Sequence, residues 1–264
     1  LADRPLAGRS ALVTGSTDGL GLAIALGLAR SGCRVALHGL EPAAAMEARC
    51  AAIGAEHGVQ ATYIRADLAQ EAGVRAMMDA VLERFGGLSV LVNNAVTRHF
   101  APIEAFPTER WEHALAVNVS AGFYAIRAAL PAMRAAGWGR IVNMVSVYGQ
   151  RGAVNRVDYV TSKAALLGLT RAVAAEAAGS EITCNAVCPG SVSTPGTEDR
   201  VAGLMQDQGL SRDEAVRQFL AGKQPSGRFV AADSVAATVL FLCSAAGRDI
   251  NGAVLPVEGG WLAS

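Results

Sequence analysis

SALVTGSTDGLG, residues 10–21, carries the reading of the fold. Residues 10–15 form an apolar, β-prone run of the kind buried on both faces of a parallel sheet. The rest is a glycine-rich turn that opens a helix predicted over 19–31. Gly15 permits the tight turn. Gly19 and Gly21 let backbone and helix come close to a bound pyrophosphate, toward which the helix N-terminus presents partial positive charge. Such a turn alone is weak evidence; a strand before it and a helix after it supply the required context.

Outward from this unit the alternation repeats. Apolar runs at 34–39, 61–66, 89–95, 140–146, 181–190 and 253–260 alternate with helical segments near 42–57, 70–85, 108–135, 158–178 and 233–244. The pattern predicts a single α/β domain over 1–264, a Rossmann-like doubly wound parallel sheet of about seven strands with helices on both faces. The rhythm breaks once, over 191–230, where Ser211 and Glu214 form a capping box for a short helix. A long excursion after the sixth strand suits a substrate lid.

The 264 residues are 52% apolar and 17% charged, enough for a large core and unlike a disordered or fibrous chain. Lys plus Arg equals Asp plus Glu at 23 each, and no dense basic run offers a footprint for nucleic acid or an anionic membrane. The five cysteines (33, 50, 184, 188, 243) form no C-x-x-C, and the four histidines form no H-x-x-x-H. That speaks against a disulfide framework or a metal site and for a reducing, cytoplasmic location. The opening LADRPLAGRS lacks an apolar leader core, and no stretch reaches roughly 18 consecutive apolar residues. The absence of Met at position 1 reads as a trimmed or renumbered start.

The chemistry is carried by Ser146 and by Tyr159-x-x-x-Lys163. Tyr159 and Lys163 lie four apart at the start of a helix and share one face. Ser146 ends a strand, where open α/β sheets place ligands. A phenol with a reference pKa near 10 is a poor base at neutral pH until a neighbouring ammonium stabilises its anion. Ser146 can donate to a carbonyl oxygen as charge develops on it. Y-x-x-x-K alone is common by chance; its register with a strand-end Ser and the glycine turn makes it specific.

With T-G-x-x-x-G-L-G (14–21), Asp67-Leu68, Asn93-Asn94-Ala95, Asn118, Ser146, Tyr159-x-x-x-Lys163 and Pro189-Gly190 followed by Thr194, the sequence resembles the short-chain dehydrogenase/reductase family over essentially its whole length. One departure is Val96, where the family's N-N-A-G has Gly. The resemblance implies catalytic roles for Asn118, Ser146, Tyr159 and Lys163. Tyr159 would be the general acid/base. Lys163 would lower its pKa and hold the nicotinamide ribose, Ser146 would orient the carbonyl or hydroxyl, and Asn118 would anchor a proton-relaying water. Read without the family, Asn118 is better explained as a polar cap on a bend in LAVNVSAG. The cofactor would meet Gly15, Thr17, Asp18, Gly19, Leu20, Gly21 and Leu40, then Asp67 and Leu68 at the adenine and Asn94 and Ala95 at the ribose. It would end against Tyr159, Lys163, Pro189, Gly190, Val192 and Thr194.

A closer resemblance is to the D-3-hydroxybutyrate dehydrogenases, through LVNNAxxxHxAPIExFP (91–107), TCNAVCPG (183–190), LFLCS (240–244) and the end GGWLA (259–263). In those enzymes a Gln, a His and a Lys hold the substrate carboxylate and a Trp closes over it. Here Arg98, Tyr148, Arg156 and Ser191 stand at those places. Two Arg suit bidentate carboxylate recognition, although either alone is equally well read as a solvated loop cation. Loss of the Trp makes room. The expected substrate is therefore a carboxylate-bearing hydroxy or keto acid larger than 3-hydroxybutyrate, touched by Arg98, Ser146, Tyr148, Arg156, Tyr159 and Ser191. The resemblance also implies a homotetramer.

For the cofactor, the second strand ends His38-Gly39-Leu40-Glu41. NADP sites carry Arg here. Leu40 offers none, leaving only His38, a weak cation at pH 7, so NAD is expected in preference to NADP. Glu41 either bonds the ribose or caps the following helix. Two other readings stay open: an NADP-linked 3-oxoacyl or sugar-type ketoreductase, and a catalytically silent NAD-binding regulator.

Overall fold

The computed structural model describes residues 4–264; the first three residues of the opening LADRPLAGRS lie outside the described residues. β1 (Ser10–Val13) leads through the glycine turn into α1 (Gly19–Arg30), followed by β2 (Arg34–Gly39), α2 (Ala43–His57), β3 (Ala61–Arg65), α3 (Glu71–Phe85) and β4 (Val90–Asn93). Next, α4 (Thr108–Leu115) runs through a π-turn (Ala116–Ser120) into α5 (Ala121–Ala135). Then come β5 (Gly139–Met144), α6 (Val157–Ala177), β6 (Ile182–Pro189), α7 (Pro195–Gln208), α8 (Arg212–Leu220), α9 (Ala232–Cys243) and β7 (Val254–Val257).

The seven strands form one sheet in the order β3-β2-β1-β4-β5-β6-β7, and every pairing is parallel. Successive side chains of a strand face opposite layers, and both layers here are apolar. Ala11 and Val13 pack with Ile24 and Leu28 of α1 and Val239 and Leu242 of α9. Leu12 faces the other way, into Met77 and Met78 of α3 and Ala125 and Ala129 of α5. Burying a large apolar side chain on either face contributes ~1.5–3 kcal/mol. This is why the strands read as nearly continuous apolar runs rather than alternating ones.

The winding reverses between β1 and β4, which opens a crevice beyond their carboxyl ends. Gly15 follows β1, Asn94 follows β4 and Ser146 follows β5, so the candidate residues converge there by topology.

Two segments differ from their sequence reading. Between β6 and β7 the capping box does open α8: Ser211 N donates to Glu214 Oε2 at 2.9 Å. A second helix, α7, precedes it. Its signal was Thr194 followed by Pro195, a cap and a first-turn proline, with Thr194 N donating to Thr197 Oγ1 at 2.7 Å. The helix expected over 108–135 is interrupted by the π-turn. By length and composition Thr108–Ala135 is apolar enough to cross a membrane; here it buries Ala121, Ala125, Ala129 and Met133 in the core.

Candidate active site

The glycine turn is held by groups that the motif does not name. Gly15 has φ +60, and a Cβ on Gly21 would meet the Gly15 carbonyl oxygen at 2.0 Å. Asn94 Nδ2 donates to Thr14 O at 2.9 Å and Gly15 O at 2.8 Å, while Thr14 Oγ1 accepts from the N–H groups of Asn94 and Ala95. Asn94 thus fastens the turn to the end of β4. His38 closes the other side: its Nδ1 accepts from Gly15 N at 3.0 Å, and its Nε2 faces Ala66 O at 3.1 Å. With Nδ1 accepting, Nε2 carries the proton and the ring is neutral. Burial pushes its pKa down. The weak cation read from the sequence is weaker still: His38 is a buried, neutral strut.

One cleft of about 610 Å³ is lined by every residue read from the sequence as facing cofactor or substrate. Asn118 alone stands outside that lining, buried behind it. At one end is exposed Leu40 and at the other Tyr159. Val96 lies on the wall, half exposed. The only non-glycine positive φ among the described residues is at Asn155, so Val96 occupies the glycine place of the family pattern without left-handed strain.

Ser146, Tyr159 and Lys163 come together although they leave different elements. Lys163 is buried and donates from Nζ to Met144 O at 2.7 Å, with Nζ 5.5 Å from the Tyr159 ring centroid. Burial, reinforced by Arg98, pushes the Lys163 pKa down to about 7. Burial raises that of Tyr159, against a hydrogen bond with Ser146 and the charges of Arg98 and Arg156, which lower it. Tyr148 stands edge-on to Tyr159 at 6.2 Å and to Trp261 at 5.3 Å. Trp261 therefore packs within its own chain, and Arg151 clamps the segment by donating to Trp261 O at 2.7 Å.

Asn118 is a strut. Its Oδ1 accepts from Thr97 N at 2.8 Å, and its Nδ2 donates to Thr97 O at 2.9 Å and Ser162 Oγ at 3.1 Å. Both amide protons are therefore committed to protein. The π-turn around it is where main-chain groups leave the helical ladder. Asp158, fully buried, accepts from His99 N at 2.8 Å. The segment 94–99, which carries Arg98, is thus pinned at Asn94, Thr97 and His99.

Beyond Leu40, Thr17 Oγ1 donates to Glu41 Oε1 at 2.9 Å, and Tyr63 Oη donates to Glu41 O at 2.8 Å. Burial raises the Glu41 pKa, but the hydrogen bonds it accepts outweigh this and hold the carboxyl low. Glu41 makes no cap on α2. Two cations that the motif reading missed reach this corner: Arg65 Nε donates to Leu40 O at 2.8 Å, and Arg49 donates to Thr17 O. At the tyrosine end the structure adds Arg200 of α7 and Lys223 after α8 to Arg98 and Arg156. Lys223 lies in the stretch KQPS (223–226), which resembles the D-3-hydroxybutyrate dehydrogenases, but no role was read for it. Arg200 carried no motif, and only the path of 191–230 brings the two over the crevice.

Arrangement and sequence agree on a class. The family model for short chain dehydrogenases matches residues 9–204, and the chain belongs to that family, oxidoreductases acting on CH–OH groups. A D-beta-hydroxybutyrate dehydrogenase from Cupriavidus necator is 40% identical over 258 residues, covering 98% of this chain and 99% of that one. Another from Rhizobium meliloti is 34% identical over 255 residues, covering 97% and 99%. The crystal structure of L-sorbose reductase from Gluconobacter frateurii, complexed with NADPH and L-sorbose, superposes with a TM-score of 0.93 at 29% identity, covering 99% of each chain.

Proposed function

We propose that the chain interconverts a secondary alcohol and a ketone on a hydroxy or keto acid larger than 3-hydroxybutyrate, with NAD in preference to NADP. The observation that carries this reading is one cleft lined by the glycine turn, by Ser146, Tyr159 and Lys163, and by Arg98 and Arg156. The residues present fit a dinucleotide. A side chain on Gly21 would close the turn, and α1 begins without a side-chain cap at Asp18, which leaves its first N–H groups to serve an anion. Gly15, Thr17, Gly19, Leu20 and Gly21 would hold the pyrophosphate side. Asp67, Leu68 and Leu40 would hold the adenosine, and Asn94, Ala95, Pro189, Gly190, Val192 and Thr194 the nicotinamide half.

When bound, the nicotinamide supplies the hydride acceptor or donor. Tyr159 takes the hydroxyl proton during oxidation and returns it during reduction. Ser146 donates to the substrate oxygen, Lys163 would hold the ribose beside Tyr159, and Arg98 and Arg156 would bind the acid. NAD is favoured by apolar Leu40, by the neutrality of His38 and by the Glu41 carboxylate beside Thr17, which would repel a 2′-phosphate. L-sorbose reductase holds NADPH, and Arg49 and Arg65 are the cations here that would serve that cofactor instead.

The segment 191–230, with α7 and α8, would act as the lid. A cytoplasmic enzyme fits the five free, buried cysteines. A homotetramer follows from the family resemblance, and half-exposed Phe123 on α5 offers apolar surface for it. The test is turnover of hydroxy acids against their esters, with Tyr159→Phe as control. Acids should lead by roughly tenfold to a hundredfold, one charged hydrogen bond's worth, and Tyr159→Phe should be inactive while still binding NADH. Equal turnover of esters would refute the acid pocket, and an active Tyr159→Phe would refute the acid/base assignment.

A further inference from the structure

Four cations, Arg98, Arg156, Arg200 and Lys223, line the tyrosine end of the cleft. The acids of the lining are Asp18 and Asp67, both among the residues assigned to the dinucleotide. Among the described residues, none of the four cations forms a salt bridge. They rest on aromatic faces and main chain instead. Arg156 Cζ stands 4.1 Å and Arg200 Cζ 4.9 Å from the ring centroid of Phe100, so a single ring carries two guanidiniums. Lys223 Nζ lies 4.5 Å from the Phe219 ring centroid and donates to Phe219 O at 3.0 Å.

The cost of this arrangement is visible in the charges themselves. Burial lowers the pKa of Arg156, Arg200 and Lys223. Arg200 and Arg98 lower Arg156 further, Arg98 lowers Arg200, and Arg156 and Arg200 lower Lys223. Clustered, partly buried like charges destabilise a fold unless a ligand neutralises them. One guanidinium suffices for the two oxygens of one carboxylate. A single carboxylate would therefore leave most of this charge uncompensated.

We propose that the substrate carries two negative charges beyond its reacting hydroxyl, as two carboxylates or as one doubly ionised phosphate, with Arg156 and Arg200 on the Phe100 ring as the principal clamp. Arg98 and Lys223 complete the cation set. The inference rests on the hydroxy-acid reading above and narrows it.

Its test uses five probes at saturating NAD: 3-hydroxybutyrate, ethyl 3-hydroxybutyrate, 3-hydroxyglutarate, its monoethyl ester and 3-hydroxybutyl phosphate. The monoester matches the dicarboxylate in length and differs by one charge. At least one dianion should exceed the monoester in kcat/KM by roughly tenfold to a hundredfold, and which one leads separates the two-carboxylate form from the phosphate. Arg200→Gln and Lys223→Gln should each reduce dianion turnover at least about tenfold more than monoester turnover. The dianion, and not the monoester, should raise the melting temperature of the free enzyme. That readout holds even if a variant folds poorly. Equal kcat/KM for dianion and monoester, with neutral ethyl 3-hydroxybutyrate still disfavoured against 3-hydroxybutyrate, overturns this proposal and leaves the hydroxy-acid reading standing. Equal turnover of neutral ethyl 3-hydroxybutyrate and 3-hydroxybutyrate overturns both.

Discussion

Replacing Asn118 by Ala tests whether this side chain works as a strut. The substitution removes three hydrogen bonds at 2.8–3.1 Å and leaves the N–H and C=O of Thr97 without their partners. At ~0.5–1.5 kcal/mol net for each bond, the loss comes to roughly 3 kcal/mol. For a chain of this size that lowers the melting temperature by about 6–12 °C. Function should suffer through the released loop, since Thr97 adjoins Arg98 and both line the cleft. KM for the acid should therefore rise along with any fall in kcat. Asn118→Asp still accepts from Thr97 N, but it cannot donate to Thr97 O or Ser162 Oγ and it buries a carboxylate against Thr97 O, so it should melt no higher than Ala. Thermal melts and steady-state kinetics on the three proteins decide the matter. An Ala variant that melts within about 2 °C of the parent and keeps its KM would refute the strut.

Gly21→Ala should be among the most damaging single-methyl additions, because its Cβ would lie 2.0 Å from Gly15 O and 2.6 Å from Asn94 Nδ2. Overpacking of ~1–3 kcal/mol would displace the turn and weaken NADH binding by roughly tenfold to a hundredfold; parent-like affinity in a fluorescence titration would refute the placement. The same titration should find NADH bound about tenfold or more tightly than NADPH, a charge effect of ordinary size, with Glu41→Ala narrowing the gap. Equal or reversed affinities in the parent would favour the Arg49 and Arg65 corner as a 2′-phosphate site.

The strands were legible because a sheet covered on both sides favours apolar residues at nearly every strand position, as in ALV (11–13) and VLV (90–92). Tyr159 and Lys163 were legible because helical spacing fixes their common face. What escaped depends on contacts distant in sequence. The neutral state of His38 follows from Gly15 N and Ala66 O, 23 and 28 residues away. The π-turn around Asn118 is tied to Thr97, 21 residues earlier. Arg200 and Lys223 sit in a stretch that reads as a lid from its length, but which of its side chains face the crevice depends on the paths of α7 and α8. Glu41 was left between ribose ligand and helix cap; α2 receives no cap from it, and its carboxylate instead meets Thr17 and Tyr63.

The pH dependence ties acid recognition to proton transfer. In the free chain Tyr159 titrates above its ordinary value because burial disfavours the phenolate, while Ser146, Arg98 and Arg156 pull the other way. Oxidation needs the phenolate. Below the Tyr159 pKa, kcat/KM should therefore rise tenfold per pH unit, or about a hundredfold from pH 7 to pH 9. Reduction needs the phenol, already present there, and should stay flat through Tyr159. An anionic substrate adds a second effect. Bound against Arg98 and Arg156, it cancels part of the positive potential that favours the phenolate. The pKa of the substrate complex then lies above that of the enzyme awaiting substrate, so the kcat profile should be displaced toward alkaline pH relative to kcat/KM. A neutral ester lacks the charge, and its two profiles should coincide. Arg98→Ala and Arg156→Ala remove the same potential permanently. They should shift the kcat/KM profile to higher pH than the parent's, shrinking the displacement for the acid. If the acid's two profiles coincide in the parent, or kcat titrates at the lower pH, the arginines do not couple substrate charge to Tyr159.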